Sequence, residues 1–242
     1  MVGRAVLITG AQGGIGSAVA GAFAATGDSL LLADFVDAQP GLESELLKAG
    51  AKSVSSVRCD VANEQDAVGA VDACFDRLGG LDVLVNAAGA MIYKPISELT
   101  AAEWHASLAV NLIGTAVFVR EAMRRMKPGG SIINIASVHA KRTTALVAPY
   151  AAAKAGLVSL SRSAAIEGKP LGIRVNAILP GAIDTPMLRD SPTIKSGEEK
   201  LDPADVGQPE DVAALAHFLA SDAAKFISGT EVVADGGRMG KL

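Results

Sequence analysis

Tyr150 and Lys154 stand four residues apart in the run Ala148-Pro149-Tyr150-Ala151-Ala152-Ala153-Lys154, and the chain has only two tyrosines. On a helix, that spacing puts both side chains on one face. An ammonium beside a phenol stabilises the phenolate and lowers a pKa that starts near ~10. A drop of about two to three units needs roughly 3–4 kcal/mol of differential interaction, within reach of a near cation in a partly dry cleft. A phenol so poised can exchange a proton with an alcohol near neutral pH. The same pair, taken alone, also describes an ordinary solvated helix contact. Two further residues sharpen the reading. Ser137 closes a strand-like run 13 residues before Tyr150, and its hydroxyl can hold an oxygen that gains charge. Asn111 lies inside a helical stretch, where asparagine is a poor former and invites a second role.

A different chemistry sits near the N-terminus. Thr9-Gly10-Ala11-Gln12-Gly13-Gly14-Ile15-Gly16 follows an apolar run and opens an alanine-rich helix. Such glycines allow a tight turn and close backbone approach, while the helix N-terminus offers N–H groups to a pyrophosphate. Any sharp strand-to-helix turn recruits glycine, so position rather than composition carries the signal. Asp34 follows Gly14 by 20 residues and ends the next apolar run. A carboxylate there can accept the hydroxyls of an adenosine ribose and repels a 2′-phosphate. Phe35, Val36, Gln12 and Gly13 add no positive charge; the combination favours NAD over NADP. The plainer alternative is an aspartate capping the next helix.

The elements that must position these groups are legible as alternating runs. Strand candidates are Ala5–Thr9, 30–34, 53–60, 81–86, 131–137, 174–179 and Glu231–Ala234. Most are continuously apolar, as strands covered on both faces should be. Gly79-Gly80 stops one helix, Thr100-Ala-Ala-Glu103 is a capping box for another, and Pro209-Glu210 starts a third after Gln208. Seven strands alternating with six helices imply an α/β fold. It is expected as a single-domain, Rossmann-like, doubly wound parallel sheet over residues 1–242, with helices on both faces. Ligands bind beyond the C-terminal strand ends of such a sheet. The polar, aperiodic stretch 187–207 follows one such end, at Pro180-Gly181, and reads as a substrate lid or a plain surface loop.

With these pieces assembled, the chain resembles the short-chain dehydrogenase/reductase family from Ala5 to Gly237. The resemblance rests on TGAQGGIG (9–16), Asp34, Asp60-Val61, NAAG (86–89), Asn111, Ser137, Tyr150-x-x-x-Lys154, Pro180-Gly181 with Thr185, and a closing Asp235-Gly236-Gly237. It implies that Tyr150 is the acid/base and that Lys154 lowers its pKa and binds the nicotinamide ribose. Ser137 would hold the reacting oxygen, and Asn111 a water in a proton relay. By the same resemblance, Gly10, Gln12, Gly14, Ile15, Gly16, Asp34 and Phe35 cradle the adenosine end. Asp60 and Val61 meet the adenine, and Asn86, Ala87, Ala88 and Gly89 line its ribose side. Pro180, Gly181, Ile183 and Thr185 approach the nicotinamide amide. NAAG carries alanine where many members have a second asparagine, the lid is short, and the stretch after Pro203 lacks a common arginine. These departures bear on the pocket more than on the reaction.

Three segments should surround a substrate: 90–95, 138–149 and the lid. His139 is the first polar candidate, then Lys94 and Arg189, while Lys141 and Arg142 read as solvent-facing. The Ser-Val-His run at 137–139 is similar to that of some sugar and polyol dehydrogenases of the family. A small oxygenated substrate fits the low aromatic content, 4%, better than a steroid. A 3-oxoacyl reductase and a cis-dihydrodiol dehydrogenase are the enzyme alternatives; a silent nucleotide sensor or scaffold is the alternative outside enzymes. The net charge of −4 is scattered without blocks, which argues against nucleic-acid or anionic-membrane partners. No run approaches the ~18 unbroken apolar residues of a membrane span, and a cytoplasmic protein is expected. Cys59 and Cys74 match no metal or redox spacing and read as buried thiols; no metal site is expected. The family resemblance also implies a homotetramer, with the alanine-rich faces 101–112 and 151–165 as candidate contacts.

Overall fold

The computed structural model describes residues 3–197 and 200–240. In chain order the elements are β1 (Ala5–Thr9), α1 (Gly14–Ala24), β2 (Ser29–Asp34), α2 (Leu42–Lys48), β3 (Ser53–Arg58), α3 (Glu64–Leu78) and β4 (Val83–Asn86). Then come α4 (Ala101–Leu108), a π-helical turn (Ala109–Ile113), α5 (Gly114–Arg125), β5 (Ser131–Ile135) and α6 (Ala148–Gly168). The last group is β6 (Arg174–Pro180), β7 (Ala182–Ile183), α7 (Pro186–Arg189), α8 (Pro192–Lys195), β8 (Val206–Gly207), α9 (Pro209–Ala220) and β9 (Glu231–Ala234). Seven strands form one parallel sheet in the order β3-β2-β1-β4-β5-β6-β9. The order reverses between β1 and β4, which opens a crevice above their C-terminal ends. The expected α/β, Rossmann-like architecture is the one observed.

Parallel strands lie buried on both sides because the crossovers carry helices to both faces. One face packs Val6, Ile8, Leu30, Leu32, Val83 and Val85 against α1 and α9. The other packs Leu7, Leu31, Leu84, Ile132 and Val175 against α3, α5 and α6. This is why the strands read as unbroken apolar runs instead of alternating ones. Start and stop signals fall where expected: Asn63 caps α3 by accepting from Gln65 and Asp66 N–H, Gly79 closes it at φ 80, and Thr100 and Glu103 form the capping box of α4. Cys59 and Cys74 are free and buried, and burial pushes both thiols up to about 12.

Several boundaries differ from expectation. β3 ends at Arg58 and not at 60, and β5 ends at Ile135, two residues short of Ser137. The stretch expected as an aperiodic lid holds α7 and α8, each started by a proline, and β8, which pairs in parallel with β7. Positions 198 and 199 of that stretch lie outside the described residues. Helices of four residues are too short to show a period, so only their prolines announced them. The continuous helix Ala101–Arg125 is long and apolar enough, by length and composition, to cross a membrane. Its apolarity is accounted for within the fold, because α4 and α5 pack against α3 and α6.

The floor of the sheet carries a buried ion pair. Asp28 is fully buried and takes Arg4 at 2.6 Å, while Arg4 also stacks over the Phe23 ring at 5.1 Å. Removing one member of a buried pair strands the other charge. Asp28→Ala should therefore lower unfolding free energy by about 3 kcal/mol, read as a drop in the urea midpoint at unchanged slope; a midpoint within error of the parent would contradict the pairing.

Candidate active site

Each expected site residue has a place that the local chain explains. Ser137 lies just past β5, where a side chain leaves the sheet; its hydroxyl accepts the His139 N–H at 3.2 Å and caps the turn Val138–Ala140. Tyr150 and Lys154 share the inner face of α6, both buried, with Lys154 only 3% exposed. Pro149, in the first turn of α6, needs no N–H partner there and favours a helix start at Ala148, two residues before Tyr150. Asn111 sits in the π-helical turn, the inserted residue re-aiming it inward to 0% exposure. Its Oδ1 accepts from Ala90 N–H at 3.1 Å, and its Nδ2 donates to the carbonyls of Ala90 at 2.8 Å and Ser107 at 2.9 Å. It therefore clamps the segment after β4 in register beside α6.

Lys154 has an uncommon environment. Its Nζ donates to Ile135 O at 2.8 Å and lies 5.4 Å from the centre of the Tyr150 ring. No carboxylate pairs with it among the described residues. Burial alone holds its ammonium down to about 8. Tyr150 departs from expectation. Burial pushes its phenol up to about 12; a hydrogen bond with Ser137 pulls the other way, and Tyr93 adds to the rise. The expected depression by Lys154 is absent, because desolvation of the buried phenol dominates. Such a phenol keeps its proton through the neutral range.

The glycine turn is set by close packing. Gly10 has φ +65, and a Cβ there would stand 2.6 Å from Ala88 Cα; both demand glycine. Gly89 faces Asn111 and Lys154, where a Cβ would come within 3.1 Å of Oδ1 and 3.5 Å of Nζ. α1 starts at Gly14 with no side-chain cap on its N-terminus, leaving those donors for a ligand. Asp34 Oδ2 accepts the Gln12 N–H at 2.8 Å, and Oδ1 accepts Val36 N–H at 3.2 Å. The carboxylate thus braces the turn it was expected to serve. A groove of about 770 Å³ runs along this edge, lined by the 10–16 turn, Asp34, Phe35, Asp60, Val61 and Ala87 to Gly89.

A second cavity, about 210 Å³, lies over Ser137, Tyr150 and Lys154, with Pro180, Gly181, Ile183 and Thr185 along its edge. The two spaces share Ile15, Ala87, Gly89, Thr185 and Met187. A dinucleotide with its phosphates on the 10–16 turn could extend its nicotinamide end to Lys154 along that shared wall, so the residues present fit the cofactor.

Other expectations are corrected. Asn86 does not line either space. It is buried in the sheet, its Nδ2 donating to Asn134 Oδ1 at 2.8 Å, and Asn134 donates on to Ser161 at 2.8 Å. Lys94 is held by Glu103 at 3.0 Å and Arg189 by Asp184 at 2.7 Å, so neither reaches the cavity. Their acidic partners, a helix-capping glutamate and an aspartate five residues upstream, win them away. His139 does line it, edge-on to Tyr150 with ring centres 5.9 Å apart. Arg142 is solvent-exposed, as expected, and also borders the cavity. Arg58 escaped the sequence reading; it lies opposite Asp34 across β2 and β3, its guanidinium over the Phe35 ring at 5.7 Å. Only the strand register reveals it.

Comparison with known proteins agrees with this geometry. A family model described as enoyl-(acyl carrier protein) reductase matches residues 10–238. Cis-4-hydroxycyclohexanecarboxylate dehydrogenase of Sinomonas cyclohexanicum is 36% identical, covering 97% of this chain and 96% of that one. A 3β-hydroxysteroid dehydrogenase of Eggerthella lenta is 36% identical over 97% of this chain and 93% of its own. The crystal structure of a short-chain dehydrogenase from Burkholderia cenocepacia in complex with NADP superposes with a TM-score of 0.88 at 30% identity, 97% of each chain being covered. The glycine turn, the parallel sheet and the Ser137–Tyr150–Lys154 cavity thus stand in a chain that belongs to the short-chain dehydrogenase/reductase family of oxidoreductases.

Proposed function

We propose that this oxidoreductase interconverts a secondary alcohol and a ketone on a small hydroxylated substrate, using NAD in preference to NADP. The observation that carries the reading is the shared wall of the two spaces, which brings a nucleotide groove to a buried Tyr–Ser–Lys cluster. When bound, the nicotinamide takes or gives the hydride. The chain's own groups do the rest. Ser137 and Tyr150 hydroxyls converge on the substrate oxygen, and Tyr150 passes a proton at its Oη. Lys154, buried beside the Tyr150 ring, can donate to ribose hydroxyls. Asn111 fixes the backbone at Ala90 and so keeps Gly89 against Lys154. Asp34 selects a ribose bearing free hydroxyls, although Arg58 stands near enough to temper that choice.

The cavity favours small substrates. Its volume of about 210 Å³ falls below the ~300 Å³ where drug-sized ligands begin. A sugar- or polyol-sized molecule, or a single substituted ring as in the Sinomonas relative's substrate, suits it; the steroid of the Eggerthella relative does not. A homotetramer is the proposed assembly: Ile113 and Ile166 stand 56% and 75% exposed on the helical faces, where another copy would cover them.

Three outcomes test the reading. Tyr150→Phe should cut kcat by about 10³-fold while nucleotide affinity, measured by fluorescence of bound NADH, changes less than about twofold; equal turnover would remove Tyr150 from the reaction. Because the phenol is held up near about 12, its proton-accepting form grows with pH. Alcohol oxidation should then climb between about pH 7 and pH 10 while ketone reduction stays level or falls; an oxidation rate flat across that span would contradict the assignment. Asp34→Ser should lower the NAD-to-NADP ratio of kcat/KM by at least about tenfold, and a parent enzyme already favouring NADP would refute the role given to Asp34.

A further inference from the structure

The proton-transfer cluster and the nucleotide edge leave part of the catalytic cavity without a role. That part carries Arg142 and Arg238 beside His139. Among the described residues, no aspartate, glutamate, asparagine or glutamine lines the cavity, although the buried Lys154 ammonium already makes it cationic. The placement of Arg142 is built, not incidental: its Nη1 donates to Met239 O at 3.2 Å, a neutral partner next to Arg238 in the chain. The loop after the 138–140 turn and the C-terminal segment therefore bring two arginines to one cavity, Arg142 at its solvent-exposed rim. The neighbouring Lys141 is disposed differently; it pairs with Glu231 at 2.5 Å, and Glu231 also takes Arg162, so its charge is neutralised outside the cavity. The rest of the lining is mixed: Met91, Val138, Val147, Leu188 and Ile194 supply hydrocarbon, and Thr143, Thr144, Ser191 and Thr193 supply hydroxyls.

We infer that the substrate is a hydroxy acid, its carbinol at Ser137 and Tyr150 and its carboxylate held by the guanidiniums of Arg142 and Arg238. The inference rests on the alcohol–ketone reaction proposed above and names the substrate's second group. A guanidinium presents a planar fork that matches a carboxylate, and two of them on one wall add their attraction for it. A neutral polyol would find hydroxyls there but no side-chain carboxylate or carboxamide to grip a diol. The apolar part of the lining suits a hydrocarbon skeleton between the two ends, and the small volume leaves a carboxylate better accommodated than a phosphate ester.

The test compares 3-hydroxybutanoate and 3-hydroxycyclohexanecarboxylate, each beside its methyl ester, with NAD and with NADP at fixed ionic strength. A hydroxyalkyl phosphate is run in parallel. The acid should exceed its ester in kcat/KM by at least about tenfold, with the difference mainly in KM. Arg142→Gln should shrink the acid-to-ester ratio by about tenfold and Arg142→Lys should restore part of it; Arg238→Gln should act in the same direction. The ratio is taken within one preparation, so a loss of folded protein cancels. Esters used as well as acids, a phosphate preferred to both, or a ratio unmoved in both glutamine variants would overturn the inference and leave the Tyr150 reaction standing. Failure of every alcohol, charged or neutral, with either nucleotide would instead overturn the reaction itself.

Discussion

A buried ammonium with no carboxylate partner among the described residues is the constraint around which the cavity is organised. Lys154 sits inside the fold with one carbonyl, Ile135 O at 2.8 Å, as its protein acceptor. A charge in that position is costly, and its pKa falls as a result. The fold tolerates it because α6 is anchored elsewhere, through packing on β6 and through Ser161 at the end of the Asn86–Asn134–Ser161 chain of hydrogen bonds. Polar ligands that approach Lys154 relieve the cost, so the same feature that weakens the apoprotein favours binding. Stability and function pull in opposite directions at this residue, as they commonly do at active sites.

The crevice above β1 and β4 meets that constraint from the other side. The 10–16 turn can reach the Ala87–Gly89 segment only because Gly10 has no side chain, and Gly89 leaves room for Asn111 Oδ1, which a Cβ would crowd at 3.1 Å. Asn111 then locks the segment after β4 by pairing both backbone groups of Ala90. The π-helical turn is what points Asn111 inward; an unbroken α-helix from 101 to 125 would rotate it away from the strand ends. A local defect in one helix thus fixes the distance between two elements that meet nowhere in sequence.

Much of this was readable from the chain. Unbroken apolar runs gave the parallel sheet because both its faces are covered, and the Thr100–Glu103 box and Gly79 marked helix ends by their own hydrogen-bonding logic. Ser137, Tyr150 and Lys154 were singled out by type and spacing, and the structure brings all three to one cavity. What escaped depends on distant partners. Asn86 was expected beside the nucleotide but is claimed by Asn134, and Lys94 and Arg189 are claimed by Glu103 and Asp184. Arg58 and Arg142 come into place through strand register and through Met239, neither of which a linear pattern reveals. The direction of the Tyr150 shift failed for a related reason: spacing places two groups on one face but says nothing of how dry that face is.

The roof of the cavity has a different standing from its floor. Ser137, Tyr150 and Lys154 lie on a strand end and a helix of 21 residues packed on the sheet, whereas Met187, Leu188 and Ile194 belong to two helices of four residues. Helices that short have no stability of their own and take their positions from the few apolar contacts beneath them. Relatives equally similar to this chain carry names that specify substrates as different in size as a hydroxycyclohexanecarboxylate and a hydroxysteroid. In a chain built this way, replacing a few roof side chains would change the cavity volume without disturbing Ser137, Tyr150 and Lys154. On that logic substrate size should follow residues 187–194.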